Sequence, residues 1–224
     1  AYKSKCKIKA ESIILSKGGG YIAGDNCLIK KTSTKLYAAL SDGMGSGLKA
    51  YEASKALLKR LEGLINLPYD DEKIIRLLTE LSHISLFTSS YATLDFFSAN
   101  LATKKGKLFK IASSTSLLIR NNQIKEFNTK TLPIDFDGIL DLYEIDLEKN
   151  DIILLMSDGV FDFSNIKALY SYILSISYLE PDKLVYNIAK YIFNESNKKL
   201  HDDTSILAIK VYYCLLYTSD AADD

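Results

Sequence analysis

The chain has no excess of charge: 28 Lys and Arg residues balance 28 Asp and Glu residues over 224 positions. A general nucleic-acid surface or an anionic-membrane surface selects a basic face, so the balance argues against both as partners. No apolar run approaches the roughly 20 residues that a membrane-spanning helix requires, so no membrane contact is expected of this segment. The start shows no signal-peptide pattern. It begins at Ala1 rather than methionine, as a piece of a longer protein would, and a membrane-spanning or regulatory region upstream is compatible with that. The three cysteines, Cys6, Cys27 and Cys214, are odd in number, far apart and without Cys-x-x-Cys spacing. That argues against a disulfide framework or structural zinc and for a reducing compartment, hence a cytoplasmic domain. Internal repeats and low-complexity linkers are also missing. The length fits one large domain or two small ones.

What the sequence does contain is a repeated ending. Leu36-Tyr37-Ala38-Ala39-Leu40 runs into Ser41-Asp42-Gly43, and Ile152-Ile153-Leu154-Leu155-Met156 runs into Ser157-Asp158-Gly159. Each reads as a buried strand that stops at a carboxylate and then a glycine, which lets the backbone turn and approach a ligand closely. A third acidic site, Asp202-Asp203, precedes a strand-like run from Ser205 to Val211. Three acidic strand ends suggest a shared site for a hard cation such as Mg²⁺ or Mn²⁺, which prefers carboxylate and carbonyl oxygen. One Asp-Gly alone is more often a turn, so the weight lies on the set. Two other acidic chemistries fail on spacing. A haloacid-dehalogenase nucleophile needs Asp-x-Asp-Gly, but Leu40 stands two before Asp42. An EF-hand needs alternating acidic positions, and Met44 and Ser46 break that pattern.

Short strands and turns are expected over residues 1 to 40, with Gly18-Gly19-Gly20 as a turn. After Gly45 the period becomes helical, with Leu48, Ala53, Ala56, Leu57, Leu61, Leu64 and Ile65 at helical spacing up to Asn66-Leu67-Pro68. Asp70-Asp71-Glu72 opens a second helix carrying Ile74, Ile75, Leu78, Leu81 and Ile84. Strands are expected at Thr93 to Ala102, Lys107 to Ser113, Ser116 to Arg120 and Ile152 to Ser157, with a hairpin turn at Asn121-Asn122. Helices near Ser164 to Ser177 and Asp182 to Asn194 precede a last strand to about Tyr213. Strand blocks separated by helix pairs imply an α+β layered domain. Residues 214–224 resemble a translated sequencing adaptor; a non-native tail is expected there and the domain is placed at 1–213.

Leu40-Ser41-Asp42-Gly43-Met44-Gly45-Ser46-Gly47, with Lys49-Ala50 and Glu52-Ala53-Ser54, resembles the phosphatase domain of the stage II sporulation protein E family. That domain is a branch of the PPM-type (protein phosphatase 2C-like) serine/threonine phosphatases. Further matches follow in order: Gly24-Asp25-Asn26, Tyr91-Ala92-Thr93-Leu94-Asp95, Gly106 with Phe109-Lys110, Leu132-Pro133-Ile134, Ser157-Asp158-Gly159-Val160 and Asp202-Asp203. The chain departs from the family pattern at Asp135, at Ala112-Ser113-Ser114, and at Thr204-Ser205. Met44 stands where many PPM-type phosphatases carry histidine.

The resemblance implies an αββα sandwich of two antiparallel sheets flanked by helix pairs. It implies a hydrolase that dephosphorylates a phosphorylated anti-sigma-factor antagonist, a STAS-type protein, in bacterial sporulation and sigma factor regulation. By the same resemblance two Mn²⁺ or Mg²⁺ ions share a hydroxide for in-line attack. Asp42 bridges them, the Gly43 carbonyl supports one, Asp158 and Asp202 hold the first and Asp25 the second. Asp42 and Asp158 are therefore the residues on which catalysis is expected to depend. Strand alignment favours Asp202 over Asp203. A catalytically silent PPM-fold docking module is the alternative. Lys110 and Arg120 either meet an anionic substrate, lie solvated on strands or satisfy nearby carboxylates; His83 reads as a surface or packing residue, and His201 lies beside the acidic pair.

Overall fold

The computed structural model describes residues 5–84, 91–129, 141–162 and 165–215. Ten strands and four helices follow in the order β1 (Lys5–Leu15), β2 (Asn26–Lys31), β3 (Lys35–Ser41), α1 (Leu48–Ile65), α2 (Asp71–Ile84), β4 (Leu94–Asn100), β5 (Lys105–Ile111), β6 (Ser116–Arg120), β7 (Gln123–Phe127), β8 (Asp141–Asp146), β9 (Ile152–Met156), α3 (Ile166–Ile176), α4 (Pro181–Glu195) and β10 (Thr204–Leu215). They form two five-stranded sheets, ordered β1-β10-β9-β6-β7 and β2-β3-β4-β5-β8. Every strand pairing in them is antiparallel.

The continuous apolar runs have a simple cause: both faces of each inner strand are covered. In β9, Ile153 and Leu155 point between the sheets toward Leu118, Leu207 and Ile209. Ile152, Leu154 and Met156 point the other way, onto Leu169, Ile173, Leu184 and Ile188 of α3 and α4. In β3, Leu36, Ala38 and Leu40 face the other sheet, while Tyr37 and Ala39 face Leu61, Ile74, Ile75 and Leu78 of α1 and α2. Successive side chains alternate sides, so only a strand buried on both faces reads as an unbroken run. The result is the expected helix–sheet–sheet–helix layering. No helix among the described residues is long and apolar enough to cross a membrane.

Local signals set the joints. Asn121 and Asn122 have φ of 50° and 59°, the left-handed pair of a two-residue hairpin turn between β6 and β7. Asn165 caps α3 by accepting the Ala168 N–H at 3.0 Å, and Pro181 occupies the first turn of α4. Four expectations differ in detail. β8 completes the second sheet although its exposed edge alternates weakly. On α1 the buried stripe is Ala50, Ser54, Leu58, Leu61, Leu64 and Ile65, with Ala56 exposed. Ser54 can lie on that stripe because its hydroxyl finds backbone acceptors there. Leu81 of α2 is exposed. β10 continues to Leu215, pairing Cys214 with Cys6. Leu132-Pro133-Ile134, Asp135, the His83 side chain and residues 216–224 lie outside the description.

Candidate metal centre

Asp42 is the first residue beyond β3, and its backbone is stapled to the entry of β4. The Thr93 N–H donates to the Asp42 carbonyl at 2.8 Å, and the Asp42 N–H donates to Thr93 Oγ1 at 3.1 Å. Met44 N–H donates to the Tyr91 carbonyl at 2.8 Å. Gly43 lies against the first turn of α1 so closely that a Cβ would sit 2.0 Å from the Ala50 carbonyl oxygen. Its N–H donates to the Gly24 carbonyl at 3.3 Å, which brings the Asp25 loop alongside. The Ser54 hydroxyl of α1 donates to the same carbonyl.

Asp158 arrives from the other sheet. It opens a short 3-10 turn, Asp158–Val160, after β9. Ser157 and Ser205 lock that turn to β10: Ser157 N–H donates to the Ser205 carbonyl at 3.0 Å, and Ser205 N–H to Ser157 Oγ at 2.9 Å. A Cβ at Gly159 would stand 2.1 Å from the Asp203 carbonyl oxygen, so no larger residue fits this joint.

The two adjacent acids at the start of β10 do different things. Asp203 accepts the Lys17 N–H at 2.7 Å and the Gly24 N–H at 2.5 Å, which ties the Asp25 loop to β10. Among the described residues the Asp202 carboxylate accepts only the neighbouring Asp203 N–H, at 2.8 Å, and its charge bears on both Asp42 and Asp158. Asp203 thus braces the Asp25 loop, and its charge also raises the Asp25 pKa, while the charge of Asp202 acts on the other two acids.

Asp25 is 2 % exposed and, among the described residues, neither carboxylate oxygen has a donor in hydrogen-bonding geometry, although the Ser205 and Ser157 hydroxyls and the Asp42 carboxyl lie near it. Burial raises its pKa against the pull of those hydroxyls. Asp42 is pushed up to about 9, first by burial and then by Asp25, Asp158 and Asp202. Asp158 is also raised, by desolvation of its flanked side and by Asp202. A buried carboxylate without donors is costly unless something positive meets it. The donor set of carboxylates and carbonyls is that of a hard divalent cation. Among the described residues no three His, Cys, Asp or Glu side chains already converge as a finished metal cage. The residues fit cations by their chemistry and by the orphaned oxygens of Asp25.

A cleft of about 180 Å³ opens beside Asp42 and Asp158, lined also by Thr93, Ala112, Ser113 and Ser114. His201 is exposed and lies with Asp162 and Glu195 on a neighbouring cavity of about 270 Å³. Arg120 is not at the cleft: it clamps Asp151 through Nε at 2.8 Å and Nη2 at 2.6 Å, and Asp151 precedes β9 at the end opposite Asp158. Lys110 also satisfies a carboxylate, that of Asp95, with both side chains wholly buried. A sequence signal for this pair existed. Asn100 faces Lys105 across the turn, so counting back along both strands sets Asp95 opposite Lys110.

The family model described as stage II sporulation protein E matches residues 32–212. The stage II sporulation protein E of Bacillus subtilis (strain 168) is 29 % identical over 153 residues, covering 66 % of this chain and 18 % of that protein. The solved structure of the PP2C phosphatase domain of SpoIIE from Bacillus subtilis, with a fragment of its regulatory domain, superposes with a TM-score of 0.83 at 20 % identity. It covers 93 % of this chain and 65 % of that one. RsbX in complex with magnesium superposes with a TM-score of 0.68 at 18 % identity, over 91 % and 95 % of the two chains.

Proposed function

Because the chain belongs to the stage II sporulation protein E family and has the PPM-type serine/threonine phosphatase fold, we propose that it hydrolyses phosphoserine or phosphothreonine on a protein. The proposed substrate is a phosphorylated anti-sigma-factor antagonist of the STAS type. The observation that carries the reading is Asp25: a fully buried carboxylate with no donor, set against Asp42. Such a group is retained at a cost and needs a cation to offset it.

In this reading Asp42 takes the central position, since the charges of both Asp25 and Asp158 bear on it. Asp158 and Asp202 would hold one ion with the Gly43 carbonyl in support, and Asp25 the other. When bound, two divalent cations, Mn²⁺ or Mg²⁺, supply neutralisation of phosphoryl oxygens and a lowered pKa for an attacking water. The protein contributes rigidity: the Thr93 and Ser205 hydrogen bonds fix both acidic turns from opposite sheets. The Ser113–Ser114 wall leaves room for a phosphoryl group but not for a deep side-chain pocket. Met44, exposed and two residues beyond Asp42, has no proton to give, so the departing serine oxygen would take its proton from water. Aryl phosphates, which need no such proton, should therefore react disproportionately fast.

The test is release of phosphate from an intact phosphorylated STAS-type protein with Mn²⁺, with a chelator as control. Turnover that chelation abolishes is expected. Binding of the phosphoprotein with no turnover at saturating Mn²⁺ or Mg²⁺ would favour the silent docking module instead.

A further inference from the structure

Lys110 and Asp95 form an ion pair at 2.5 Å on neighbouring strands, β5 and β4, with neither side chain exposed. Removing two charges from water is expensive, and a pair of apolar residues would often serve stability as well or better. The geometry shows what else the pair does. Besides Asp95, the Lys110 ammonium donates to the Ser114 carbonyl at 2.6 Å and to Ser116 Oγ at 2.8 Å. The Asp95 carboxylate accepts from Ser113 Oγ at 2.7 Å and from Ser116 Oγ at 3.2 Å. All three of the ammonium's donors are thus used, and two of its three partners lie in the segment between β5 and β6 or at its end. That segment, Ala112-Ser113-Ser114, lines the same cleft as Asp42. It also begins with a strained residue, since Ala112 has a φ of 49°. A short loop carrying a left-handed alanine needs outside bonds to stay in one conformation. The pair is anchored close to the other wall as well: Asp95 is two residues beyond Thr93, which holds the Asp42 turn.

We infer that the buried Asp95–Lys110 pair is a positioning device for the reaction cleft: it fixes the Ala112–Ser114 wall against the Asp42 turn, and so sets where the phosphoryl group lies. Neither residue touches the substrate. The inference rests on the phosphatase reading for its effect on turnover, but not for its effect on the loop.

The variant that separates positioning from stability is Asp95→Leu with Lys110→Met in the full chain. It replaces two charges by apolar side chains of similar shape and leaves no buried charge alone, unlike Lys110→Met by itself. Amide exchange at residues 112–115 is expected to accelerate about tenfold or more while the rest of β4 and β5 stays protected. With Mn²⁺ and p-nitrophenyl phosphate, kcat should fall about 10- to 100-fold, as small misplacements of a reacting group do. KM and the Mn²⁺ concentration for half-activation should move by less than about threefold, since no cation-facing carboxylate is altered. Unchanged exchange at 112–115, or wild-type kcat in a loop that has loosened, would overturn the inference.

Should the double variant not fold, Ser113→Ala cuts one link and leaves the ion pair whole. It should accelerate exchange over the same residues and lower kcat, and Ser113→Thr should restore both; a neutral Ser113→Ala would count against the device. If the unaltered chain shows no turnover, the phosphatase reading fails on that result alone, and the exchange of residues 112–115 still decides the positioning claim.

Discussion

With no cation beside it, Asp42 stands among three other carboxyl groups, and its pKa of about 9 has a consequence for stability. Between the ordinary value of 3.8 and about 9, the folded chain keeps a proton that the unfolded chain has released. Proton binding by the folded state favours it at low pH, so this contribution is fully present below pH 3.8 and is lost as pH rises through 9. The chelated protein is therefore expected to lose melting temperature steadily across that window. Asp42→Asn should flatten the loss and raise Tm at pH 8, by about 2–4 °C per kcal/mol recovered at this chain length. The same substitution, like Asp158→Asn, should abolish phosphate release at saturating Mn²⁺. Thermal melts across pH, paired with activity, check both halves: near wild-type turnover in either variant would remove the carboxylates from the mechanism. A second residue-scale expectation concerns Ala112. Its left-handed backbone costs an alanine about 1–2 kcal/mol, against about 0.5–1 kcal/mol of extra chain entropy lost by glycine. Ala112→Gly should thus stabilise the fold slightly, which denaturant melts would register as a higher midpoint at unchanged slope.

At the scale of elements, α1 is joined to both acidic loops at once. Its first turn packs on Gly43, and the Ser54 hydroxyl donates to Gly24 beside Asp25. A shift of this helix would move Asp25 and Asp42 together. Ser54→Ala keeps the helix, since alanine favours it, but takes one of two donors from the Gly24 carbonyl, which keeps the Gly43 N–H, a loss of about 0.5–1.5 kcal/mol. Asn26, whose amide also donates to Ser54 Oγ at 2.8 Å, loses an acceptor. The Mn²⁺ concentration for half-maximal activity should rise several-fold in Ser54→Ala, and less in Leu57→Ala, where the half-buried side chain does not touch the loops by hydrogen bonding. Superimposable Mn²⁺ titrations for wild type and Ser54→Ala would disconnect α1 from the site. Elements were also where the sequence spoke most clearly and where its silence is most instructive. The runs 36–40 and 152–156 were legible because both their faces are buried. β8 was faint because it is an edge strand with one wet face. The buried stripe of α1 departs from the apolar periodicity at Ser54, because a hydroxyl bonded to backbone carbonyls is buried without being apolar. The acids Asp42 and Asp158 stand out at strand ends, whereas the roles of Asp202 and Asp203 separate only when Lys17 and Gly24 are brought beside them.

The whole molecule offers a cleft of about 180 Å³ at one end of a layered body, too small to recognise more than a phosphoryl group and its nearest atoms. If the chain acts on phosphoproteins as proposed, discrimination among them would draw on contacts made elsewhere on the substrate's surface, whose binding free energy can be used to orient the reacting group. An intact phosphorylated STAS-type protein is expected to exceed its own phosphopeptide in kcat/KM by two orders of magnitude or so, as remote contacts commonly allow. Equal values for peptide and folded protein would point to a phosphatase of broad specificity.

The register of β1 against β10 has a bearing on control. Leu15 faces Thr204 at the acidic pole, and Lys5 faces Leu215 at the other. Ten steps of extended chain at roughly 3.3 Å each separate the two poles. The described ends of β1 and β10, Lys5 and Leu215, therefore lie side by side about 30 Å along the strands from the acidic pole. A regulator tethered there starts out of reach of Asp42. It must either fold back along the flank to lean on a helix, or pull on the paired strands like a hand on the far end of a lever.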